Sequence, residues 1–401
     1  MKKKILSLFL ALAAMTTFTA CSSNSKATNG GSGEKTIVVW HQLETPVEDA
    51  LKKSVSDLET SEHIKVKFVK QNELSQKLTV AGQNSKDLPD LIIGPNDWTG
   101  KFSVMGIIDP ISKAVDKSIL KDHLDNTVEA VTYKGESYGV PMTFECLTFM
   151  YNKKLLTTPP KTTDDLLKIA KENTKDGNWG FLTNTSDGYH MMPWIYGFNG
   201  YAVSKDGTPG LSQAGTVDAL NFIKDLTAYL PKNVDYQVVD GLFKEGKAAS
   251  IVNGSWAIKG YKGIDKIDLG IEVLPVVTKS GKNAQPLLGV QAAMVMAKSN
   301  NKKEAGKVLE SFASEKTANA LLDCGYLVSN KKVDMTKDPI TKKLLEQANF
   351  ATPMPNSPEM SSVWEPLANA LKSISTDKNA DVKKLLDKAQ KDAEDKVKAA
   401  K

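Results

Sequence analysis

Apolar positions along this chain follow two alternating rhythms. Ile37-Val38-Val39-Trp40 is a short unbroken apolar run, as a buried strand requires. Thr45-Pro46-Val47-Glu48 then carries the features of a helix start, with Thr45 as N-cap, Pro46 at the first helical position and Glu48 closing a capping box. Val47, Leu51, Val55 and Leu58 recur at helical spacing on one face. Ile64, Val66 and Phe68 alternate with lysines, which predicts a half-buried strand. A second capped helix is predicted from Thr162 or Thr163, with Asp165 in its first turn and Leu166, Leu167, Ile169 and Ala170 facing inward. Further strands are expected at 91–93, around Val140, and at 248–252, 271–274 and 293–297. Helices are expected at 302–312, 314–324 and 380–398. The last carries Val382, Leu386 and Ala389 on one side, so its lysine-rich side predicts a solvated outer face.

This strand–helix alternation predicts an α/β fold, and the length predicts two lobes, because single cores rarely grow past ~250–300 residues. No internal repeat and no Gly-rich linker divides the body. That pattern suits two lobes joined by strands that cross more than once.

The N-terminus changes the setting. Lys2, Lys3 and Lys4 precede an apolar or small stretch from Ile5 to Ala14, then Phe18-Thr19-Ala20-Cys21. Such a stretch is well short of the ~20 residues that span a bilayer, so residues 1–20 read as a signal peptide and the chain as exported. Residues 21–33 are polar and glycine-rich and read as a flexible tether. Removing the signal removes three lysines and no acid, so the formal charge of +5 becomes +2 and nucleic acid is not the implied partner. All 52 residues of the Lys+Arg count are lysine. Without a guanidinium fork, bidentate capture of an anion has no device, and a neutral ligand fits better. Cys146 and Cys324 are expected to be free, buried thiols. His41, His63, His123 and His190 lack metal-ligand spacing, and neither a metal nor a cofactor is expected.

No GxSxG elbow, phosphate-binding loop or dinucleotide fingerprint is present. What does recur in loop-like contexts is aromatic residues beside carboxylates: Asp97-Trp98, Glu145, Asp187 with Tyr189, Trp256 and Trp364. Flat rings suit the apolar C–H faces of a sugar, and carboxylates accept its hydroxyl protons. Each residue alone has a plainer explanation: a tryptophan is commonly packing, and a surface carboxylate is commonly just solvated.

Several stretches in order carry a resemblance: Ile37-Val38-Val39-Trp40, Pro89-Asp90-Leu91-Ile92-Ile93, Glu145 through Met150-Tyr151-Asn152-Lys153, Pro159-Pro160-Lys161-Thr162, Val252-Asn253-Gly254-Ser255-Trp256-Ala257, Val273-Leu274-Pro275, and Met354-Pro355-Asn356-Ser357-Pro358-Glu359-Met360 followed by Trp364. In these, the body from about Lys35 to about Leu386 resembles the maltose/maltodextrin-binding proteins, the extracytoplasmic receptors of ABC sugar importers. The resemblance implies a two-lobed periplasmic-binding-protein-like fold (type II) that closes on its ligand, with crossings near Glu145, near Leu288 and at 333–340. It implies a first lobe of 34–144 with 289–335 and a second of 145–288 with 340–401. Asp97 and Glu145 become hydroxyl acceptors from the first lobe, Asp187 and Tyr189 an acid and a stacking ring from the second, and Trp256 and Trp364 two stacking indoles. Glu44 matches a polar contact. Two positions depart: Gly94 stands where well-known members carry a tryptophan, and Trp98 where they carry an arginine, which makes Trp98 a candidate replacement platform.

The segment ending at Cys21 resembles the lipobox of bacterial lipoproteins, which implies lipidation of Cys21 and a monomeric receptor anchored on the outer face of the cell membrane. The implied partners are maltose or a maltodextrin and the permease subunits of an ABC transporter. Other readings are a receptor for another neutral oligosaccharide, a secreted glycosidase using Glu145 and a partner carboxylate, and a surface structural lipoprotein.

Overall fold

Lys35–His41 pairs in parallel with Ile64–Lys70 on one side and with Leu91–Pro95 on the other, and these three strands start the larger of the two main sheets. In this computed structural model the described residues are 34–81 and 88–399. The signal, Cys21 and the tether lie outside them. Leu287–Met296 enters the sheet antiparallel to Leu91–Pro95 and to Gly139–Glu145, with a bulge at Gln291/Ala292, and Leu327–Val328 closes the edge. Ile108–Asp109 and Thr352–Pro353 also pair with Leu287–Met296, giving eight strands. A second, antiparallel sheet places Leu147–Asn152 between Ser250–Gly254 and Leu269–Glu272. The chain passes from one sheet to the other at Cys146, which is fully buried.

The two sheets organise two lobes. Ile37, Val39, Leu91 and Ile92 are fully buried in the first, each contributing about 1.5–3 kcal/mol of apolar burial. In the second, Phe149 and Phe181 stack with ring centroids 6.4 Å apart, and the fully buried Trp194 packs against Phe222 at 5.3 Å between centroids. The C-terminal helix Val382–Ala399 covers that core with Val382, Leu386, Ala389 and Ala393 and turns its lysines outward.

Local signals were mostly accurate. The box at Thr162 forms, its side chain accepting from the Asp165 N–H while the Asp165 carboxylate accepts from the Thr162 N–H. The helix after the first strand differs from expectation. It runs Thr45–Val55 with Glu44 at the N-cap, and no side chain caps it. The Glu44 carbonyl accepts from both Val47 and Glu48 N–H, so the backbone starts the ladder one residue earlier than Thr45 would. Ala248 makes only an isolated bridge to Trp179, so its strand begins at Ser250. Cys324 is only half-buried, with its thiol donating to the Pro46 carbonyl.

One side chain joins segments far apart along the chain. Asn96, fully buried, donates from Nδ2 to the Met354 and Ala130 carbonyls and accepts at Oδ1 from the Val290 N–H. Asn356 repeats the device, donating to the Ala130 and Thr132 carbonyls at 2.8 Å each. Its own carbonyl accepts from the Gly100 N–H at 2.8 Å, and a Cβ on Gly100 would lie 2.2 Å from that oxygen. Gly100→Ala should therefore cost about 1–3 kcal/mol, the usual range for overpacking. Urea unfolding with an unchanged midpoint would contradict the close seat of Gly100 on the Asn356 carbonyl.

Candidate functional site in a cleft between the sheets

Strand ends from both sheets converge on one hollow of about 480 Å³. Asp97 comes from the turn after Leu91–Pro95, Glu145 from the end of Gly139–Glu145, and Gly289 and Gln291 from the strand between them. The opposite wall is Asn184, Asp187, Tyr189, His190, Tyr236 and Trp256. Gly289 lies directly across from Glu145 in the sheet, and a Cβ there would stand 3.5 Å from the Glu145 Cγ and 3.9 Å from the Tyr189 hydroxyl oxygen. The absent side chain keeps the floor open where the acid and the phenol meet. Tyr189 also donates to the Leu287 carbonyl at 3.3 Å, which fixes its ring against the crossing strand.

A second hollow of about 440 Å³ shares Asp187 and Tyr189 with the first and adds Gly188, Trp364 and Ala368. Tyr189 thus borders both hollows, with Trp256 lining the first and Trp364 the second. Such volumes suit a small organic ligand.

Three tryptophans are seated on glycines. The Trp98 ring lies against Gly94, where a Cβ would come within 2.4 Å of it; the Trp256 ring lies against Gly254, where a Cβ would come within 1.9 Å; the Trp364 ring lies 3.2 Å from where a Gly188 Cβ would be. The Asn-Gly-Ser-Trp turn holds its ring from below: Asn253 donates to the Tyr261 hydroxyl and accepts from the Gly254 N–H, both at 2.8 Å. Tyr189 and Trp256 face one another with centroids 6.4 Å apart and planes at 44°.

Electrostatics set the character of the floor. Burial pushes the Glu145 carboxyl up to about 7. Burial also lifts Asp97 to about 6, against the pull of its own backbone N–H and of Lys101. Its Oδ1 is buried without a hydrogen-bond partner among the described residues. Asp97 stands at the N-cap of Trp98–Val104 yet makes no side-chain cap bond, so its oxygen remains free for an incoming donor. Asp187 contrasts with both. Burial would raise it, but the His190 ring and the Tyr189 and His190 N–H groups more than offset that and hold it below its ordinary value. Cys146, under Glu145, is pushed up to about 12 by burial and then by Glu145, which leaves it an unreactive thiol.

The residues singled out from sequence are thus distributed unevenly. Asp97, Glu145, Asp187, Tyr189 and Trp256 line the first hollow, and Trp364 lines its extension. Trp98 lines neither; it packs on Gly94 and on Phe102 at 5.5 Å between centroids. Glu44 is exposed and also outside both linings, although its charge, with that of Glu145, is felt at the Tyr326 phenol. Asn184, His190, Tyr236, Gln291 and Met354 line the cleft without having been singled out. The one local signal for His190 is its position three residues after Asp187, helical contact spacing. A separate hollow of about 470 Å³ lies across the segment 255–258; its lining mixes Lys259, Lys262 and Lys337 with Asp323, Asp334 and Asp338 and has Tyr326 as its one aromatic ring, so it offers no pair of facing platforms.

Two α/β lobes with an aromatic, arginine-free cleft at their junction are the architecture of a solute-binding protein. The chain belongs to the bacterial extracellular solute-binding protein family, whose pattern matches residues 53–348. It is 30% identical to the maltotriose-binding protein of Pyrococcus abyssi over 90% of this chain and 82% of that one. It is 29% identical to the galactooligosaccharide-binding protein of Bacillus subtilis over 100% of this chain and 98% of that one. Among solved structures, a cyclo/maltodextrin-binding protein complexed with maltotetraose superposes with a TM-score of 0.81 at 29% identity, over 92% of this chain and 99% of that one.

A carboxyl raised by burial keeps its proton in the folded chain where the unfolded chain has lost it. The stability this supplies is complete below the ordinary glutamate value of 4.5 and is lost as pH rises through about 7. Glu145→Gln should remove that loss. Thermal melts should show the variant a few degrees more stable than the parent at about pH 8 and level with it near pH 4; parallel melting curves across that range would show that Glu145 is not desolvated.

Proposed function

We propose that this chain captures maltose or a longer α-1,4-glucan outside the cell and delivers it to an ABC permease, making and breaking no bond. The observation that carries this is the cleft itself: Tyr189, Trp256 and Trp364 offer flat faces along two joined hollows, while Asp97 and Glu145 supply acceptors for hydroxyl protons. A neutral sugar needs both, apolar faces for its C–H surfaces and acceptors for its rim. The names of the Pyrococcus relative and the maltotetraose-bound neighbour support the same ligand class.

The first lobe is then 34–144 with 289–335 and the second 145–288 with 340–401, hinged near Glu145, near Leu288 and at 333–340. A ligand touching both lobes binds their closed arrangement better than the open one and shifts the population toward it. The permease reads that closed form. Cys21, at the end of the signal, carries the lipid that holds the monomer on the outer face of the membrane, and residues 21–33 are its tether. No cofactor or metal takes part.

A second reading within the class is another neutral oligosaccharide. Two observations favour keeping it: the end-to-end likeness to a galactooligosaccharide-binding protein, and the first-lobe wall, where Trp98 covers Gly94.

Titration calorimetry with maltotriose, maltopentaose and a galacto-oligosaccharide separates these readings. Maltotriose should bind, and Trp256→Ala and Trp364→Ala should each weaken it by roughly 1–3 kcal/mol. Absence of heat with both malto-oligosaccharides would remove the proposed ligand, and release of shorter sugars from maltopentaose would make the protein a glycosidase.

Anchoring is tested separately. Cys21→Ser should move the protein from the membrane fraction into the medium, and mass spectrometry of the parent should find acyl chains on Cys21. An unmodified Cys21 in the membrane fraction would contradict the anchor.

A further inference from the structure

His190 is nearly fully buried, yet it lines the cleft. Its Nδ1 lies 2.7 Å from Asp187 Oδ2, and its ring meets Tyr189 and Tyr236 edge-on, at 6.0 and 6.5 Å between centroids. Asp187 is occupied on its other oxygen as well, where Oδ1 accepts from the Tyr189 N–H at 3.2 Å and caps the helix Gly188–Gly197. Both oxygens of this carboxylate therefore already hold a donor within the chain, unlike the Oδ1 of Asp97.

The ionised carboxylate can only accept, so the proton between the two residues resides on His190 Nδ1. A neutral imidazole with Nδ1 protonated has a bare Nε2. That nitrogen has no hydrogen-bond partner among the described residues.

We propose that His190 Nε2 is a sugar-binding acceptor on the second-lobe wall, held in that tautomer and orientation by Asp187, which acts on this contact as a positioning residue. This rests on the oligosaccharide reading above and assigns one of its hydroxyl contacts. An sp² nitrogen has a single lone pair in the ring plane, whereas a carboxylate oxygen accepts over a broad arc. The contact therefore selects the direction of one hydroxyl, and with it one sugar epimer over another. The edge-on rings of Tyr189 and Tyr236 keep the imidazole plane from turning.

The test combines nitrogen NMR with calorimetry on the full chain. In protein carrying ¹⁵N-histidine, the resonances lost in His190→Phe identify this ring among the four histidines. Without sugar the ring should show a protonated Nδ1 and an unprotonated Nε2. Adding maltotriose should move the Nε2 signal toward the hydrogen-bonded range while Nδ1 stays protonated. Asp187→Asn should mix the tautomers and weaken binding. His190→Phe, which keeps a flat ring of similar size, should bind maltotriose about tenfold more weakly, while His190→Gln, which restores an acceptor, should recover part of the loss. A proton on Nε2 in the sugar-free protein overturns the proposal, as does an unchanged affinity in His190→Phe. If the parent chain binds no oligosaccharide at all, the proposed function fails instead, and the tautomer spectrum still decides whether Asp187 sets the ring.

Discussion

A ring can present one face to a ligand only if its other face has something flat to lie on. A strand or turn without a Cβ supplies that surface, because removing the side chain lets the indole lie directly against the backbone. In the cleft the arrangement occurs twice, with Trp256 on Gly254 and Trp364 on Gly188, and it recurs outside the cleft with Trp98 on Gly94. Gly289 works in the opposite sense, leaving space in front of Glu145 and Tyr189. The shape of the cleft therefore depends as much on where side chains are missing as on the rings themselves. A methyl group at Gly254 would push the Trp256 ring out of its seat without touching any polar group.

The second determinant is charge placed where water is scarce. Asp97 and Glu145 sit on the floor with their carboxyls raised by burial, a cost that only an arriving set of hydroxyl donors relieves. The chain contains no arginine to neutralise them in place. An anionic ligand would add a like charge to this floor, whereas a neutral polyol completes it. Asp97 sits where it does because Asn96 ties the turn to Val290, Ala130 and Met354, so the acceptor stands on a braced backbone and not on a mobile loop. In the proposed role Glu145 sets stability against binding, because the burial that raises its carboxyl costs stability at neutral pH.

Much of this was legible in the sequence wherever the signal was local. The strand at Lys35–His41, the box at Thr162 and the apolar stripe of the last helix each depend on neighbours within a few residues. The stacking rings and acids were legible through their order along the chain, which matches a known pattern. Asn96 and Asn356 were not, because the carbonyls they reach lie up to 258 positions away. The buried His190 and the half-buried Tyr236 were missed because neither residue type signals a binding wall until the opposite side of the cleft is seen. Leu287–Met296 was anticipated only from Ala293 onward; its first half carries Gly289 and a bulge, features that break strand periodicity in order to shape the cleft. Trp98 shows the reverse case: its identity was visible, but only the structure places its ring over Gly94 instead of in the cleft.

In the proposed function, rings and acids from both lobes close around an uncharged sugar. A crystal structure grown with maltotriose tests this most directly. Glucose units should lie flat on Trp256 and Trp364, with a sugar hydroxyl donating to the Asp97 oxygen that has no partner among the described residues. Density for the sugar in the lysine- and aspartate-lined hollow beyond residues 255–258, with the aromatic cleft unchanged, would contradict it.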